Sequence, residues 1–259
     1  MNPILFLFVF VFGTIIGSFL NVVIIRHGTG RSLGGRSKCA VTGKTLEWYE
    51  LMPIISFLIQ GGKSRHGGAK ISWQYPLVEF FTGLSFVAIV YKFLGLVYYY
   101  PQIGMINIFF YFIIISLMII IFVYDFHHQI IPDQFIYPLM VFGGIAVFLS
   151  NNPVGHFLAG PLLALPILIL WFLTHGKGMG FGDVKLLIPI GWILGLSKGF
   201  ASLLIAFWIG ALVGIVLITF GNKKWKSKIS FGPFLIIGFF VALLFGVDMS
   251  TISHFFNVI

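Results

Sequence analysis

Charge is the scarcest property of this chain. Of its 259 residues, 9% are Asp, Glu, Lys or Arg, where a soluble domain carries about 25%. So little polar surface cannot cover a globule in water, which excludes a soluble protein. With 59% hydrophobic residues and a mean hydropathy of +1.04, the chain reads as a polytopic membrane protein. Cysteine is nearly absent too: Cys39 stands alone, so no intrachain disulfide can form. The start, Met1-Asn-Pro-Ile4, lacks the basic segment and small-residue cleavage pattern of a removed signal peptide, and reads as a retained first span. The aromatic–basic interleaving of a nucleic-acid reader is also missing, so the net charge of +9 is not read as nucleic-acid binding.

What is present is a succession of apolar runs broken by Gly, Pro and charge. They predict an all-α fold of about eight transmembrane helices, near 3–25, 75–98, 104–124, 134–150, 156–174, 184–197, 200–220 and 231–248. The organisation that follows is a first span over 1–25, a large loop over 26–74 and a transmembrane region over 75–259. Lys and Arg mark the cytoplasmic side of a membrane protein. Placing 26–74 inside also puts 125–133, 175–183 and 221–230 inside, and both termini outside. Fourteen of the sixteen basic residues then fall on inward loops and their flanks, and only Lys92 and Lys198 lie toward the outer side. A face this basic also attracts anionic lipid headgroups.

Acids number only seven, and two of them sit at the mouths of apolar segments. Asp125 ends the run Gly104–Tyr124, and Asp183 follows the glycine-rich string Gly176-Lys-Gly-Met-Gly-Phe-Gly182. An ionisable group at membrane depth is expensive and marks a candidate site. Both aspartates fall on the inward side, and the hairpin 134–174 between them returns the chain to one face, so they can meet. Two adjacent carboxylates share a proton and suit the activation of water. Read alone, Asp183 fits either a carboxylate on a non-helical edge facing a wet pocket or an N-cap for the next helix. Asp133 reads as an N-cap for the helix starting near Phe135. His127 and His128 read as interfacial residues, because neighbours on a helix point in different directions. Gly13, Gly17 and Ser18 suit close packing of the first span. The 31 phenylalanines read as lipid-facing and core surface.

The string Asp125-x5-Ile131-Pro132-Asp133, followed by Gly180-x-Gly182-Asp183-Val-Lys185, resembles the type IV prepilin leader peptidases, polytopic aspartic proteases of the Gly-x-Gly-Asp class. Gly17-Ser-Phe-Leu-Asn-Val-Val-Ile-Ile-Arg26 is similar to the end of that family's first span. Leu46-Glu-Trp-Tyr-Glu-Leu-Met-Pro53 and Ile71-Ser-Trp-Gln-Tyr-Pro-Leu-Val-Glu79 are similar to its cytoplasmic loop. The resemblance runs in order from about residue 10 to 190. It implies that Asp125 and Asp183 are the catalytic pair, one ionised as general base on water and the other protonated to polarise the scissile carbonyl. Gly180, Gly182, Lys185, Pro132 and Asp133 are the supporting motif residues. The implied substrates are pilin or pseudopilin precursors of a pilus or secretion system, with a short basic leader cleaved at the cytoplasmic face of the bacterial inner membrane. Proteolysis needs no cofactor. Members of the family also methylate the new N-terminus with S-adenosylmethionine, an activity associated with the loop region that here holds Glu47, Glu50 and Glu79.

The chain departs from the family in one respect. Many members carry two Cys-x-x-Cys pairs in the large loop, a spacing suited to zinc. Here those positions read Cys39-Ala-Val-Thr42 and Ser64-Arg-His-Gly67. One thiol and His66 do not make a closed site, so no zinc is expected. Packing is expected to hold the loop instead, with Trp48, Pro53, Phe57 and Trp73 as anchors. Glu79 has a second reading as an acid near a helix start, and Glu47, Glu50 and Asp133 read as solvated loop charges. A transporter would predict internal repeats and acids nearer mid-span. A silent assembly scaffold is disfavoured by retention of both aspartates. A presenilin-like or signal-peptide-peptidase-like protease would lack this large loop.

Overall fold

The computed structural model describes residues 3–38, 42–65, 67–220 and 229–257. Cys39 and His66, and the basic residues Lys223, Lys224, Lys226 and Lys228, lie outside the described residues. Helices α1 (Pro3–Arg26), α2 (Ile55–Ile59), α3 (Gln74–Tyr99), α4 (Pro101–His128), α5 (Asp133–Leu149), α6 (Pro153–Leu173), α7 (Phe181–Thr219), α8 (Gly232–Phe245) and α9 (Met249–Asn257) follow one another, and no strand occurs among the described residues. Each expected span falls on helix, but the one expected over 231–248 breaks after Phe245. Among the described residues five helices, against about eight expected spans, are long and apolar enough to cross a membrane, six if α8 and α9, bent by 90°, count as one span, and α5 is a shorter apolar helix. The protein is thus an all-α, multi-pass membrane protein. Internal contacts divide it into two units, 1–120 and 121–259.

In the first unit α1 and α3 approach backbone to backbone. A Cβ on Gly13 would lie 2.7 Å from Gly83 Cα, and one on Gly17 would lie 2.7 Å from Glu79 Cα. Small residues permit this approach, and dispersion across the seam replaces the hydrophobic drive that lipid cannot supply. Phe86 and Phe112 stack at 3.8 Å, with Phe12 beside both. The segment between α1 and α3 holds a 3₁₀ turn at Trp48–Leu51, α2, and bridges Lys38–Thr45 and Lys63–Lys70. Of the four expected anchors only Phe57 is buried, packed 4.8 Å from the Trp73 ring. Trp48 and Trp73 remain exposed. Arg26 adds a polar brace by donating from one guanidinium nitrogen to the carbonyls of Ser32, Leu33 and Gly34.

The second unit is organised around α7, which packs against α5, α6, α8 and α9. Its 39 residues hold the two spans expected at 184–197 and 200–220, joined where Gly195 leaves helical geometry (φ 75°, ψ 176°). The chain doubles back there. A Cβ on Gly199 would lie 3.8 Å from Gly191 Cα, whereas eight residues of straight helix span about 12 Å. Backbone groups freed by the breaks are recaptured by side chains. Pro161 has no N–H, so the Phe157 carbonyl loses its helical partner; the Trp192 indole N–H donates to it at 3.0 Å. The break at Gly195 likewise strands the Trp192 carbonyl, and His156 Nδ1 bonds to it at 2.9 Å. Non-helical backbone in lipid requires this kind of internal satisfaction. Gly191 meets the Ala159 carbonyl and Gly160 Cα, closing the α6–α7 seam.

Candidate active site

Helix α4 does not stop at Tyr124 but runs on to His128, so Asp125 sits in its last turn, 3% exposed. The chain then reverses at Gln129 (φ 56°) and enters α5 through Pro132, whose extended backbone occupies the cap position. Asp133 is therefore the first helical residue and not the expected N-cap. Nor is it a merely solvated charge: its carboxylate takes both oxygens to Lys185 Nζ, at 2.7 and 2.9 Å. Lys185 also lies 5.4 Å from the Phe181 ring centre. Together these contacts tie the α4–α5 turn to the first turn of α7.

Asp183 corrects both of its sequence readings. Gly180 caps α7, and Asp183 is the third helical residue, neither on a non-helical edge nor at the cap. It is 6% exposed, and its Oδ2 accepts from the Gly180 amide at 3.2 Å. Gly182, immediately before it, gives room to a neighbour: Ile131 Cβ would lie 3.0 Å from a Cβ on Gly182. The same side chain reaches the start of α8, where its Cδ1 would be 3.1 Å from a Cβ on Gly232. Ile131 is thus a wedge between the backbone next to Asp183 and the backbone next to Asp125.

Around Asp125 the donors come from the approach to α8. The Ser230 hydroxyl donates to Asp125 Oδ2, and the Gly232 amide hydrogen-bonds the same carboxyl group. A Cβ on Gly232 would collide with that oxygen. Asp125 and Asp183 lie close enough for their charges to repel each other. Ser230 also lines a cleft of about 260 Å³, walled by Met179, Phe207, Ile229, Phe231 and Phe234, to which neither aspartate contributes. One carboxylate that can take a proton from water and one that can donate to a carbonyl are the parts of acid–base hydrolysis.

Ser230 and Gly232 were not singled out from sequence, where Ser230-Phe-Gly-Pro233 reads only as the entry to a span. The available signal is a hydroxyl and a glycine immediately before Pro233, at the mouth of an otherwise apolar helix. His127 and His128 lie on adjacent positions of the last α4 turn, with His127 Nδ1 bonded to the Val123 carbonyl at 2.9 Å. No group of three metal-ligating side chains occurs among the described residues.

The remaining candidate acids lie in the first unit. Glu79 is 6% exposed; its Oε2 accepts from the Ile54 amide at 2.7 Å, and the Ser18 hydroxyl bonds to it too. Ile54 holds a positive φ of 60°, and this bond pins its turn. Glu50 is also buried, contrary to the solvated reading, and accepts from the Glu47 amide at 2.9 Å. Glu47 is half-exposed and lies 3.7 Å from Arg36.

A helical, multi-pass membrane protein with two buried aspartates whose charges interact belongs by class with the membrane-embedded proteases. Residues 11–93 match the bacterial peptidase A24 N-terminal domain and residues 112–215 the type IV leader peptidase family; the chain belongs to that family and is an enzyme of the protease kind. It is similar to the prepilin leader peptidase/N-methyltransferase of Bacillus subtilis (strain 168), with 33% identity covering 92% of this chain and 93% of that protein. Proteins of the same name from Xanthomonas campestris (31% identity; 92% of this chain, 90% of that one) and Pseudomonas aeruginosa (29%; 90% and 88%) are similar as well. No solved structure matches the chain.

Proposed function

We propose that the chain is a membrane aspartic endopeptidase that removes the short basic leader of prepilin-like precursors at the cytoplasmic face of a bacterial inner membrane, and then methylates the new N-terminus. Asp125 and Asp183 are its catalytic pair. The observation that supports the reading is that two scarce acids from different helices are both buried and close enough for their charges to interact, with Ile131 packed beside Gly182 and Gly232. A water between them loses its proton to one carboxylate while the other hydrogen-bonds the scissile carbonyl. The tetrahedral intermediate then collapses as the amine leaves with a proton. The sidedness rests on the distribution of Lys and Arg, fourteen of sixteen of which fall on one side.

Methylation would draw its methyl group from S-adenosylmethionine. Glu79 and Glu50 do not fit direct ligands of that cofactor, because both carboxylates are buried and bonded to the chain's own amides. Their part is to hold the loop between α1 and α3 in shape, while Glu47 is the one of the three with a half-exposed carboxylate. The test is mass spectrometry of a pilin precursor incubated in detergent with the wild type, Asp125→Asn and Asp183→Asn, each with and without S-adenosylmethionine. Leader loss with wild type alone supports the dyad, and a gain of about 14 Da (one methylene's mass on a methylated amine) supports the transferase. Substantial cleavage by either Asn variant defeats the assignment.

A further inference from the structure

The dyad is asymmetric in what surrounds it, and the asymmetry points to a residue outside the two aspartates. Asp183 receives a backbone amide, that of Gly180 at the start of its own helix. Asp125 receives donors from a segment more than a hundred positions away: the Ser230 hydroxyl on Oδ2 and the Gly232 amide on the same carboxyl group. The Gly232 backbone approaches so closely that no Cβ fits. Ser230 has no comparable role in holding α8 itself, since Pro233 and the Phe231 carbonyl, which accepts from Phe234 and Leu235, already start that helix. The hydroxyl is instead committed to the carboxylate. Hydrogen bonds to the charged form of an acid favour that form, and donors to a carboxylate are among the stronger ones in proteins.

We propose that Ser230 is a positioning residue of the dyad. With the Gly232 amide it holds Oδ2 of Asp125 as an ionised acceptor, so that Asp125 takes the proton from water and Asp183 keeps the proton that polarises the scissile carbonyl. The proposal rests on the dyad reading above and assigns a division of labour within it. The balance closes without any other reactant. Water gives its proton to Asp125 as its oxygen bonds to the carbonyl carbon, Asp183 donates toward the carbonyl oxygen, and Asp125 passes the proton it took to the leaving amine as the C–N bond breaks. Ser230 neither gains nor loses a proton. It fixes which carboxylate begins as base.

The experiment is a pH profile of kcat and kcat/KM for cleavage of a pilin precursor by the wild type, Ser230→Ala and Ser230→Thr in detergent, with Asp125→Asn as control. Ser230→Ala is expected to lose activity mainly in kcat, and to move the acidic limb of the profile to higher pH by about one unit, the size of one hydrogen bond to a charged acceptor. Because the limb belongs to the coupled pair, it is read as an apparent value of the dyad. Ser230→Thr keeps the hydroxyl and is expected to keep the wild-type limb. An unmoved limb in Ser230→Ala overturns the proposal, as does loss of activity in the Thr and Ala variants alike when both retain the wild-type melting temperature. Full activity of Asp125→Asn would instead overturn the dyad reading itself, which separates the two failures.

Discussion

At Gly232 one hydrogen atom is all that separates the backbone from the Asp125 carboxylate. The missing Cβ is a site requirement, because a methyl group there meets Asp125 Oδ2 and lies 3.1 Å from Ile131 Cδ1. Gly232→Ala is therefore expected to push the carboxylate or the wedge aside. Displacements of that order cost about a hundredfold in rate, so precursor cleavage should fall to that extent while the variant still inserts and extracts as wild type; a wild-type rate would remove Gly232 from the site. The Lys185–Asp133 pair acts one step further out. Both side chains are partly exposed, so their ion pair contributes little to stability, roughly 0–1 kcal/mol. Its work is to hold the turn carrying Ile131 against α7. Lys185→Met is expected to lower kcat about tenfold, the scale of losing a positioning contact, with little change in melting temperature. Asp133→Asn should do the same, and the double variant should be no worse than either single, as expected for residues that act as one unit. Additive losses would show that the two act separately.

At the scale of elements, α6 and α7 are joined by the defects in each. Pro161 strands one carbonyl and Gly195 strands another, and Trp192 and His156 recapture them across the seam. Gly195 sits at φ 75°, ψ 176°, a region essentially reserved for glycine, where another residue costs about 1–3 kcal/mol. A Cβ there would also lie 3.0 Å from His156 Nε2. Gly195→Ala is expected to lower stability by an amount in that range, measured as a lower melting temperature in detergent; an unchanged melting temperature would mean that the turn relaxes into ordinary geometry. The helices themselves were legible in the sequence because apolar runs must be about as long as the bilayer is thick. The spans expected at 184–197 and 200–220 put the turn between the two arms of α7 at 198–199, but it falls at Gly195. Backbone geometry decides the exact place, and a glycine inside an apolar run carries no mark of its φ. The clamp was not legible either, since it pairs residues 35 and 36 positions apart.

For the whole molecule, legibility followed the cost of burial. Asp125 and Asp183 stood out because a charge in lipid is rare, and both are buried within reach of each other's charge. Ser230 and Gly232 did not stand out, because a hydroxyl and a glycine at a helix mouth cost almost nothing to place there. Glu50 reads from sequence as a solvated charge and Glu79 as an acid near a helix start, yet both are buried, since sequence does not reveal a backbone amide that will come to meet a carboxylate. The same economy of charge predicts sidedness. If the basic loops face the cytoplasm, then 27–73, 129–132 and 174–180 lie inside, and the turns near Tyr99 and Asn151 outside. Cys39 is the single native thiol and no zinc is expected to need it, so Cys39→Ser should keep activity and supply a clean background. Thr29, Tyr99, Asn151 and Lys177 are all exposed, so single cysteines at these positions report accessibility and not packing. An impermeant maleimide applied to intact cells should label Tyr99→Cys and Asn151→Cys, and should reach Thr29→Cys and Lys177→Cys only after the membrane is opened. The inverse pattern would place Asp125 and Asp183 at the outer face, where a leader that is still cytoplasmic could not reach them, and the cleavage step proposed here would have to be assigned to another site.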